Sequence, residues 1–367
     1  MVKKKERVVV AMSGGVDSSV AATLLKNNGY DVVGITMQIW PTDNYLNNEH
    51  FGGCCSLLAI EDAKRVAYRL EIPHYVLNFR RVFRKKVIDN FIQEYKKGRT
   101  PNPCIRCNQF IKFGALLYKA RELNANFVAT GHYARIEYDA KIKRWLLKKG
   151  RDISKDQSYV LYPLSQEQLK HILLPLGNLS KIEVREIARK KGLLVADKKE
   201  SQEICFIPDN NYHRFLKPQI SGLCGNKEIN RGPIISLNGE IIGEHKGVAF
   251  YTIGQRRGLG ISFREPLYVV SVNPKNNTIV VGPDKALYKN QLIAGNVNYI
   301  SIKKLSQPLN AEVKIRYKHE AIFATILPLD NGKVKVKFKQ AQRAITPGQS
   351  AVFYDGDVVI GGGIIIN

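Results

Sequence analysis

The 367-residue sequence has no apolar run approaching the roughly 18 residues that a membrane-spanning helix needs, so no membrane partner is expected. It has only six cysteines, Cys54, Cys55, Cys104, Cys107, Cys205 and Cys224, too few to staple a chain of this size as a disulfide scaffold. Internal repeats and low-complexity segments are absent, which sets aside solenoids and disordered tails. The basic start, Met1 to Arg7, leads into a strand pattern and not into the apolar core of a secretion signal, so a cytoplasmic location is expected. In that reducing setting a Cys-x-x-Cys pair is catalytic, redox-active or metal-binding more often than structural. Acidic residues are also scarce: 32 Asp and Glu face 57 Lys and Arg, a formal charge of +25. A field of that sign draws in polyanions, and nucleic acid is the first to consider.

What is present is the composition of an ordinary globular protein, 44% hydrophobic and 24% charged. The first half alternates strand and helix signals. Arg7–Met12 is a β-branched run ending at Ser13-Gly14-Gly15, and residues 17–28 read as a helix stopped by Gly29. Strands are expected at 31–39, 74–78 and 126–130, and helices at 57–70, 81–95 and 110–123. Serines at 165 and 180 open two more helices, the second with a Ser180-x-x-Glu183 capping box. This alternation predicts an α/β fold with a doubly wound parallel sheet. Beyond about residue 210 short alternating strands punctuated by Gly, Pro and Asn take over, predicting a small central domain and a C-terminal β-barrel. The expected division is 1–208, 209–280 and 281–367.

The segment Ala11-Met12-Ser13-Gly14-Gly15-Val16-Asp17-Ser18 joins the end of the first strand to a helix start. Glycines let backbone N–H groups approach an anion, serine hydroxyls add donors, and the helix N-terminus adds partial positive charge. It is neither a Gly-x-x-x-x-Gly-Lys-Ser/Thr loop nor Gly-x-Gly-x-x-Gly. A plain tight turn with Asp17 or Ser18 as a helix cap would use the same residue types. Further on, Thr100-Pro101-Asn102-Pro103-Cys104-Ile105-Arg106-Cys107-Asn108 is a proline-bracketed turn leading into a helix expected near 108. A thiol near that helix start and beside Arg106 is expected to be more readily ionised, and the thiolate is the nucleophile. A zinc site is disfavoured, because no second Cys-x-x-Cys or His pair completes a tetrahedral set. Cys205 lies in Ile204-Cys205-Phe206-Ile207, and spacing alone does not say whether it meets Cys107.

Ser13-Gly14-Gly15-Val16-Asp17-Ser18 resembles the pyrophosphatase loop of enzymes that cleave ATP to AMP and pyrophosphate. It is followed in order by Gly98-Arg99-Thr100-Pro101-Asn102-Pro103, Cys107-Asn108, Lys112-Phe113, Thr130-Gly131-His132-Tyr133, Lys155-Asp156-Gln157-Ser158-Tyr159, Ile204-Cys205-Phe206-Ile207, the 254–260 segment Gly-Gln-Arg-Arg-Gly-Leu-Gly and the 346–354 segment Thr-Pro-Gly-Gln-Ser-Ala-Val-Phe-Tyr. Together these resemble the bacterial tRNA-specific 2-thiouridylases over essentially the whole chain. The resemblance implies ATP-dependent adenylation of the base oxygen at position 2 of the wobble uridine, in tRNAs of the Lys, Glu and Gln type, followed by sulfur transfer. It implies Cys107 as nucleophile and Cys205 as the persulfide-bearing cysteine. Either the persulfide attacks, its sulfur being released as Cys107 forms a disulfide with Cys205, or hydrosulfide released by Cys107 displaces AMP. Residues Ala11 to Ser18, Met37 and Gly131 match ATP-pocket positions, with Mg²⁺ expected and the role of Asp17, ligand or cap, left open. Asn102, Pro103 and Cys104 match the target-base loop. His132, Lys155, Asp156, Gln157, Arg316, Tyr317 and Gln349 match tRNA-contact positions. Expected partners are tRNA and a persulfide-carrying sulfur donor protein.

Cys104 departs from the pattern, because many members carry Asp there, the natural candidate for acid–base work. Three cysteines at 104, 107 and 205 also leave an iron–sulfur site with one open iron as an alternative. The competing readings are another pyrophosphatase-loop tRNA-modifying synthetase and a basic RNA-binding protein with an inactive ATP loop. The Asn- and Gly-rich stretch 41–53 shows no periodicity and is expected to be a mobile loop.

Overall fold

The computed structural model describes residues 5–39, 57–199, 204–207, 209, 211–221 and 230–367; the loop expected at 41–53 lies outside the described residues, as do Cys54, Cys55 and Cys224. The chain divides into two compact units: residues up to 87 with 104–210 and 357–359, and residues 88–103 with 211–356 and 360–367.

The first unit grows from β1 (Arg7–Ala11), in which Val8, Val9 and Val10 are all fully buried. A strand covered on both faces has no need of alternation, so it reads as a continuous apolar run. It feeds α1 (Val16–Asn27), whose buried Val20, Ala21 and Ala22 are small enough for close packing on the sheet. Then come β2 (Asp31–Gln38), α2 (Leu57–Arg69) and β3 (His74–Asn78). The single helix expected at 81–95 is interrupted: α3 (Arg80–Phe83) passes through a wide π-helical turn at Arg84–Ile88 into α4 (Asp89–Lys96). A wider turn rotates the face that follows it, and Phe83, Val87, Ile88, Phe91 and Ile92 are all buried.

The next helix starts earlier than expected. α5 (Pro103–Cys107) runs through a π-helical stretch at Asn108–Ala115 into α6 (Leu116–Glu122). Proline suits a first helical position, where no N–H partner is required. β4 (Phe127–Ala129) precedes a hairpin, β5 (Ala134–Asp139) and β6 (Arg144–Lys149). α7 (Gln166–Lys170), β7 (Ile172–Leu173) and α8 (Lys181–Lys190) complete the unit. Ser180 closes the capping box that its sequence context predicts, and Ser165 closes a second one. Five strands form a parallel sheet in the order β3-β2-β1-β4-β7, with Val8 paired to Val32 on one side and Phe127 on the other. The winding reverses at β1. Such a reversal opens a crevice at the carboxyl ends of the two strands, here β1 and β4.

In the second unit α4 faces α9 (Tyr212–Ser221), with Phe91 edge-on to Phe215 at 6.1 Å and Tyr95 stacked on Tyr212 at 5.1 Å. Burial pushes both tyrosine hydroxyls above their ordinary pKa. β8 (Gly232–Ile235), β9 (Ile241–His245), β10 (Tyr268–Asn273) and β11 (Thr278–Gly282) form a four-stranded sheet in the order β10-β11-β8-β9. The last strands are β12 (Tyr288–Tyr299), β13 (Leu309–Lys314), β14 (Ile322–Pro328), β15 (Val334–Arg343), β16 (Ser350–Asp355) and β17 (Val358–Ile365). Pairing of β12 with β17, Ala294 to Ile365 and Tyr299 to Gly361, closes them into a barrel. Closure removes the exposed strand edges that would invite association. Val313, Ile326, Val336, Phe353 and Ile365 fill its core.

Phe353→Ala is expected to cost about 3–5 kcal/mol, the usual range for emptying a buried aromatic site. Urea unfolding measures it, and a cost below about 1 kcal/mol would contradict a core role.

Candidate active site

The Ser13-Gly14-Gly15 turn lies at the carboxyl end of β1, on the crevice. Gly14 has φ of +66°, and a Cβ there would lie 2.1 Å from the Ala59 carbonyl oxygen. Glycine is therefore required by both conformation and space. Ser18 Oγ accepts from the Ser13 N–H at 3.2 Å and donates to the Gly15 carbonyl at 3.1 Å. Ser19 Oγ donates to the same carbonyl at 2.9 Å. The serines thus hold the loop's shape. Gly15 is the N-cap of α1 and contributes no side-chain cap. The donors of an uncapped first turn, with the helix dipole behind them, suit an anion.

Gly131 follows β4 and meets this turn. A Cβ at 131 would come within 2.6 Å of the Asp17 carbonyl carbon and 2.8 Å of the Ser18 nitrogen. The two strand-end turns approach as closely as glycine permits. Met37 is half-buried near the end of β2, the strand beside β1.

Sequence reasoning missed two lysines. Lys181 Nζ donates to both carboxylate oxygens of Asp17, at 2.7 and 2.8 Å, and Tyr133 Oη donates to Asp17 Oδ1 at 2.7 Å. Lys198 Nζ donates to the Gly14 carbonyl at 2.9 Å and to Asp62 Oδ2 at 2.6 Å. One segment, 181–198, therefore holds the loop at two points. A faint signal existed: Lys181 stands in the first turn of a capped helix, where the dipole disfavours a cation. The cap beneath it is firm. Backbone donation from Ser180, then Arg151 and the Ser180 hydroxyl, hold the Glu183 carboxyl down at about 2. The depressed value means this cap is intact above the ordinary glutamate range and is lost only as pH falls toward 2.

The cysteines require a correction. Because the helix begins at Pro103, Cys107 closes its first segment instead of preceding it, and Cys104 occupies the first turn. Cys104 is exposed, while Cys107 is half-buried. Directly after Cys107, Asn108 is 2% exposed; its Nδ2 donates to the Val160 carbonyl at 3.3 Å and its buried Oδ1 has no partner. The Arg106 guanidinium lies 4.3 Å from the centre of the Phe110 ring. Cys205 is half-buried in a turn whose next residue, Phe206, packs edge-on against Phe83 at 5.7 Å. The helix carrying Phe83 in turn touches the π-helical stretch that follows Cys107. Cys107 and Cys205 are thus carried on segments that share α3 as a neighbour. Among the described residues no group of three or more His, Cys, Asp or Glu side chains is placed to hold a metal, so Cys104, Cys107 and Cys205 do not form an iron–sulfur ligand set in this arrangement.

The residues expected to meet RNA fall into two sets. In the first unit His132 is buried, its Nδ1 sharing a 2.7 Å hydrogen bond with Thr130 Oγ1. Burial, with Lys112 nearby, holds its pKa well below the ordinary imidazole value. Asp156, also buried, accepts from the Gly150 and Ser158 backbone nitrogens and from Ser158 Oγ. Gln157 pairs with Tyr133 through both its backbone and its side chain, at 2.9 and 3.0 Å. Lys155 is half-buried beside them. In this set buried hydrogen bonds shape the segment next to Asp17. In the second unit Gln349 Nε2 donates to the Thr100 carbonyl at 2.8 Å, and Thr100 N–H donates to the Pro347 carbonyl at 2.9 Å. Thr100 Oγ1 also donates to Thr252 Oγ1 at 3.1 Å. The turn before Asn102 and Pro103 is thereby fastened to the barrel. Arg316 Nη1 donates to the carbonyls of Arg343 and Ala344, and Tyr317 beside it is half-buried.

Two outcomes follow from this geometry. Gly131→Ala should separate the two turns and lower ATP-dependent AMP formation at least ~10-fold with the fold retained; misplacement by about an ångström is enough for such a loss. Near-normal AMP formation would contradict the close packing. Gln349→Ala should speed tryptic cleavage after Arg99 in protein free of RNA, and unchanged cleavage would mean the clamp is not needed to hold the turn.

Comparison with known proteins agrees with this layout. Family models match residues 6–209 as a tRNA methyl transferase HUP domain, 223–283 as a tRNA methyl transferase PRC-barrel domain and 289–365 as an aminomethyltransferase beta-barrel domain. The tRNA-specific 2-thiouridylase MnmA 1 of Caldanaerobacter subterraneus subsp. tengcongensis is 56% identical over 359 residues, covering 98% of this chain and 97% of its own. The tRNA-specific 2-thiouridylase MnmA of Clostridioides difficile is 54% identical over 360 residues, covering 98% of each chain. That of Acetivibrio thermocellus is 52% identical over 361 residues, covering 98% of this chain and 99% of its own. The ordered motifs, the parallel sheet with its Ser-Gly-Gly turn and this near full-length identity together place the chain in the tRNA-specific 2-thiouridylase family.

Proposed function

We propose that this chain catalyses ATP-dependent 2-thiolation of the wobble uridine in tRNAs of the Lys, Glu and Gln type, releasing AMP and pyrophosphate. The observation that carries the reading is the uncapped α1 start at the strand-order reversal, with Gly131 packed against it and, in the same unit, Cys107 and Cys205 on segments that share α3 as a neighbour. The Ser13–Ser18 turn would cradle the pyrophosphate portion of ATP, with Met37 and Gly131 lining the pocket. The oxygen at position 2 of the uracil attacks the α-phosphorus, and pyrophosphate leaves. Developing charge on the phosphates meets the α1 N-terminus, which requires no reorganisation during the step.

Mg²⁺ fits this site as an ion shared with the substrate. Magnesium is commonly held by one or two carboxylates plus phosphate oxygens. Asp17, partly exposed beside the turn, is the carboxylate that would hold it. The ion would offset phosphate charge.

Sulfur then arrives as a persulfide on Cys205, delivered by a sulfur donor protein. In one route its terminal sulfur attacks C2 and AMP departs; the Cys107 thiolate next attacks the Cys205 sulfur, which frees the 2-thiouridine and leaves a Cys107–Cys205 disulfide. In the other, Cys107 forms that disulfide first and the released hydrosulfide displaces AMP. Either way a thiol reductant must reopen the disulfide. Cys104 occupies the position where many relatives carry aspartate and is available as a thiol acid or base. We assign the Asn102–Cys104 turn to the target base, and His132, Lys155–Gln157, Arg316, Tyr317 and Gln349 to the tRNA-facing regions. The proposed working parts are residues 1–208 for chemistry, 209–280 as a central domain and 281–367 as a barrel.

The test is mass analysis of digested wobble-modified tRNA after incubation with the protein, ATP, Mg²⁺ and a persulfide source. Replacement of oxygen by sulfur on the wobble uridine, dependent on ATP and Cys107, is expected. Cys205→Ser should lose thiolation yet keep tRNA-dependent AMP formation. AMP formation without thiolation in the unmodified protein would move the reaction to another incoming group.

A further inference from the structure

The buried lysine behind the nucleotide loop fills only an unspecified position of the Ser180-x-x-Glu183 capping box, and no nucleotide-binding motif of the sequence includes it. Lys181 is 8% exposed, and its ammonium group spans both oxygens of Asp17. Its backbone N–H is held by Asp152 Oδ2 at 3.0 Å, and its ammonium nitrogen lies 5.8 Å from the centre of the Tyr133 ring. Tyr133 donates its hydroxyl to Asp17 Oδ1 at 2.7 Å and is itself locked by Gln157. Two side chains, Lys181 and Tyr133, therefore meet on one carboxylate, and each is held from behind by a further residue.

A buried ammonium costs stability unless it is paired, and the first turn of a helix adds a repulsive dipole. A brace within the core could be made from apolar side chains at no such cost. Here the pair is not sealed in the core, because the Asp17 side chain is 31% exposed. Asp17 is the second residue of α1, two positions beyond the glycine that caps it. A bare carboxylate at that place would repel a triphosphate, and it would also be free to rotate. Lys181 removes both problems, cancelling the charge and fixing the plane of the carboxylate.

We propose that Lys181 is a positioning residue for ATP use, acting through Asp17 with Tyr133 as its second support. The inference rests on the reading that the Ser13–Ser18 turn holds ATP. Lys181 itself touches neither nucleotide nor base. It sets Asp17 so that the carboxylate faces the phosphates oriented and paired with a cation.

The experiment measures tRNA-dependent AMP formation across ATP concentrations, in saturating Mg²⁺, for the unmodified protein and a set of variants. Lys181→Met should lower kcat/KM for ATP by about 10–100-fold, the scale of a misplaced group at a reacting centre. The KM for tRNA should stay within about two-fold, and Lys181→Arg should recover most of the loss. Adding Lys181→Met to Asp17→Asn should change the rate no further, because the lysine would have nothing left to position. Independent, multiplying losses in that double variant would overturn the proposal. So would normal ATP kinetics in Lys181→Met, or an equal fall in ATP and tRNA parameters that arginine does not repair. Should Lys181→Met fail to fold, Tyr133→Phe removes one hydrogen bond only; a several-fold loss confined to kcat/KM for ATP supports the proposal, and unchanged kinetics overturn it. No AMP from the unmodified protein with tRNA would overturn the ATP reading itself, a result distinct from all the variant outcomes.

Discussion

The contact between Gly131 and the start of α1 is the constraint on which the catalytic unit depends. Two parallel strands, β1 and β4, end side by side where the sheet order reverses, and the turns that follow them pack backbone to backbone. Parallel strands carry their ligands at such ends because helix N-termini converge there. A Cβ at 131 would fall 2.6 Å from the Asp17 carbonyl carbon, so any side chain there would part the turns. The fully buried valines of β1 set the platform, and Gly14 and Gly131 allow the closeness above it.

Around that contact polar groups are arranged so that few are left to chance. Ser18 and Ser19 both spend their hydroxyls on the Gly15 carbonyl, and the uncapped start of α1 suits an anion. Asp17 is supported from β4–β5 by Tyr133 and from α8 by Lys181. Lys198 holds the Gly14 carbonyl. His132 and Asp156, residues that an RNA-contact reading would place at the surface, are instead buried and hydrogen-bonded beside this network. Their chemistry explains the placement: a neutral imidazole and a fully satisfied carboxylate can shape backbone without an unpaired charge.

The second unit repeats the principle with different materials. A proline-rich turn cannot satisfy itself through regular secondary structure, so Thr100 and Pro101 offer their carbonyls to Gln349, and Thr100 donates to Pro347. Those partners sit in the loop that joins β15 to β16 of the closed barrel. The helix then begins at Pro103, which brings Cys104 into its first turn and Cys107 to its end. The π-helical stretch starting at Asn108 leaves one buried amide oxygen unmatched next to Cys107, the kind of local irregularity that accompanies function.

Local chemistry was legible in the sequence. The Ser-Gly-Gly turn, the Ser180 capping box, the parallel α/β alternation and the later change to short strands each depend on neighbours a few residues apart. The hairpin at 134–149 was missed, since its charge-rich, half-exposed strands lack the apolar alternation that marks a strand. The start of the helix at Pro103 was misplaced, because a proline that ends one turn and a proline that begins a helix look alike in a sequence. Lys181 and Lys198 lie 164 and 184 residues from the loop groups they hold, and no periodicity or motif spans that distance. Sequence alone determined which residue types could make an anion loop and a thiol pair. Only the tertiary structure decided which side chains support them, because a buried charge finds its partner by packing and not by position along the chain.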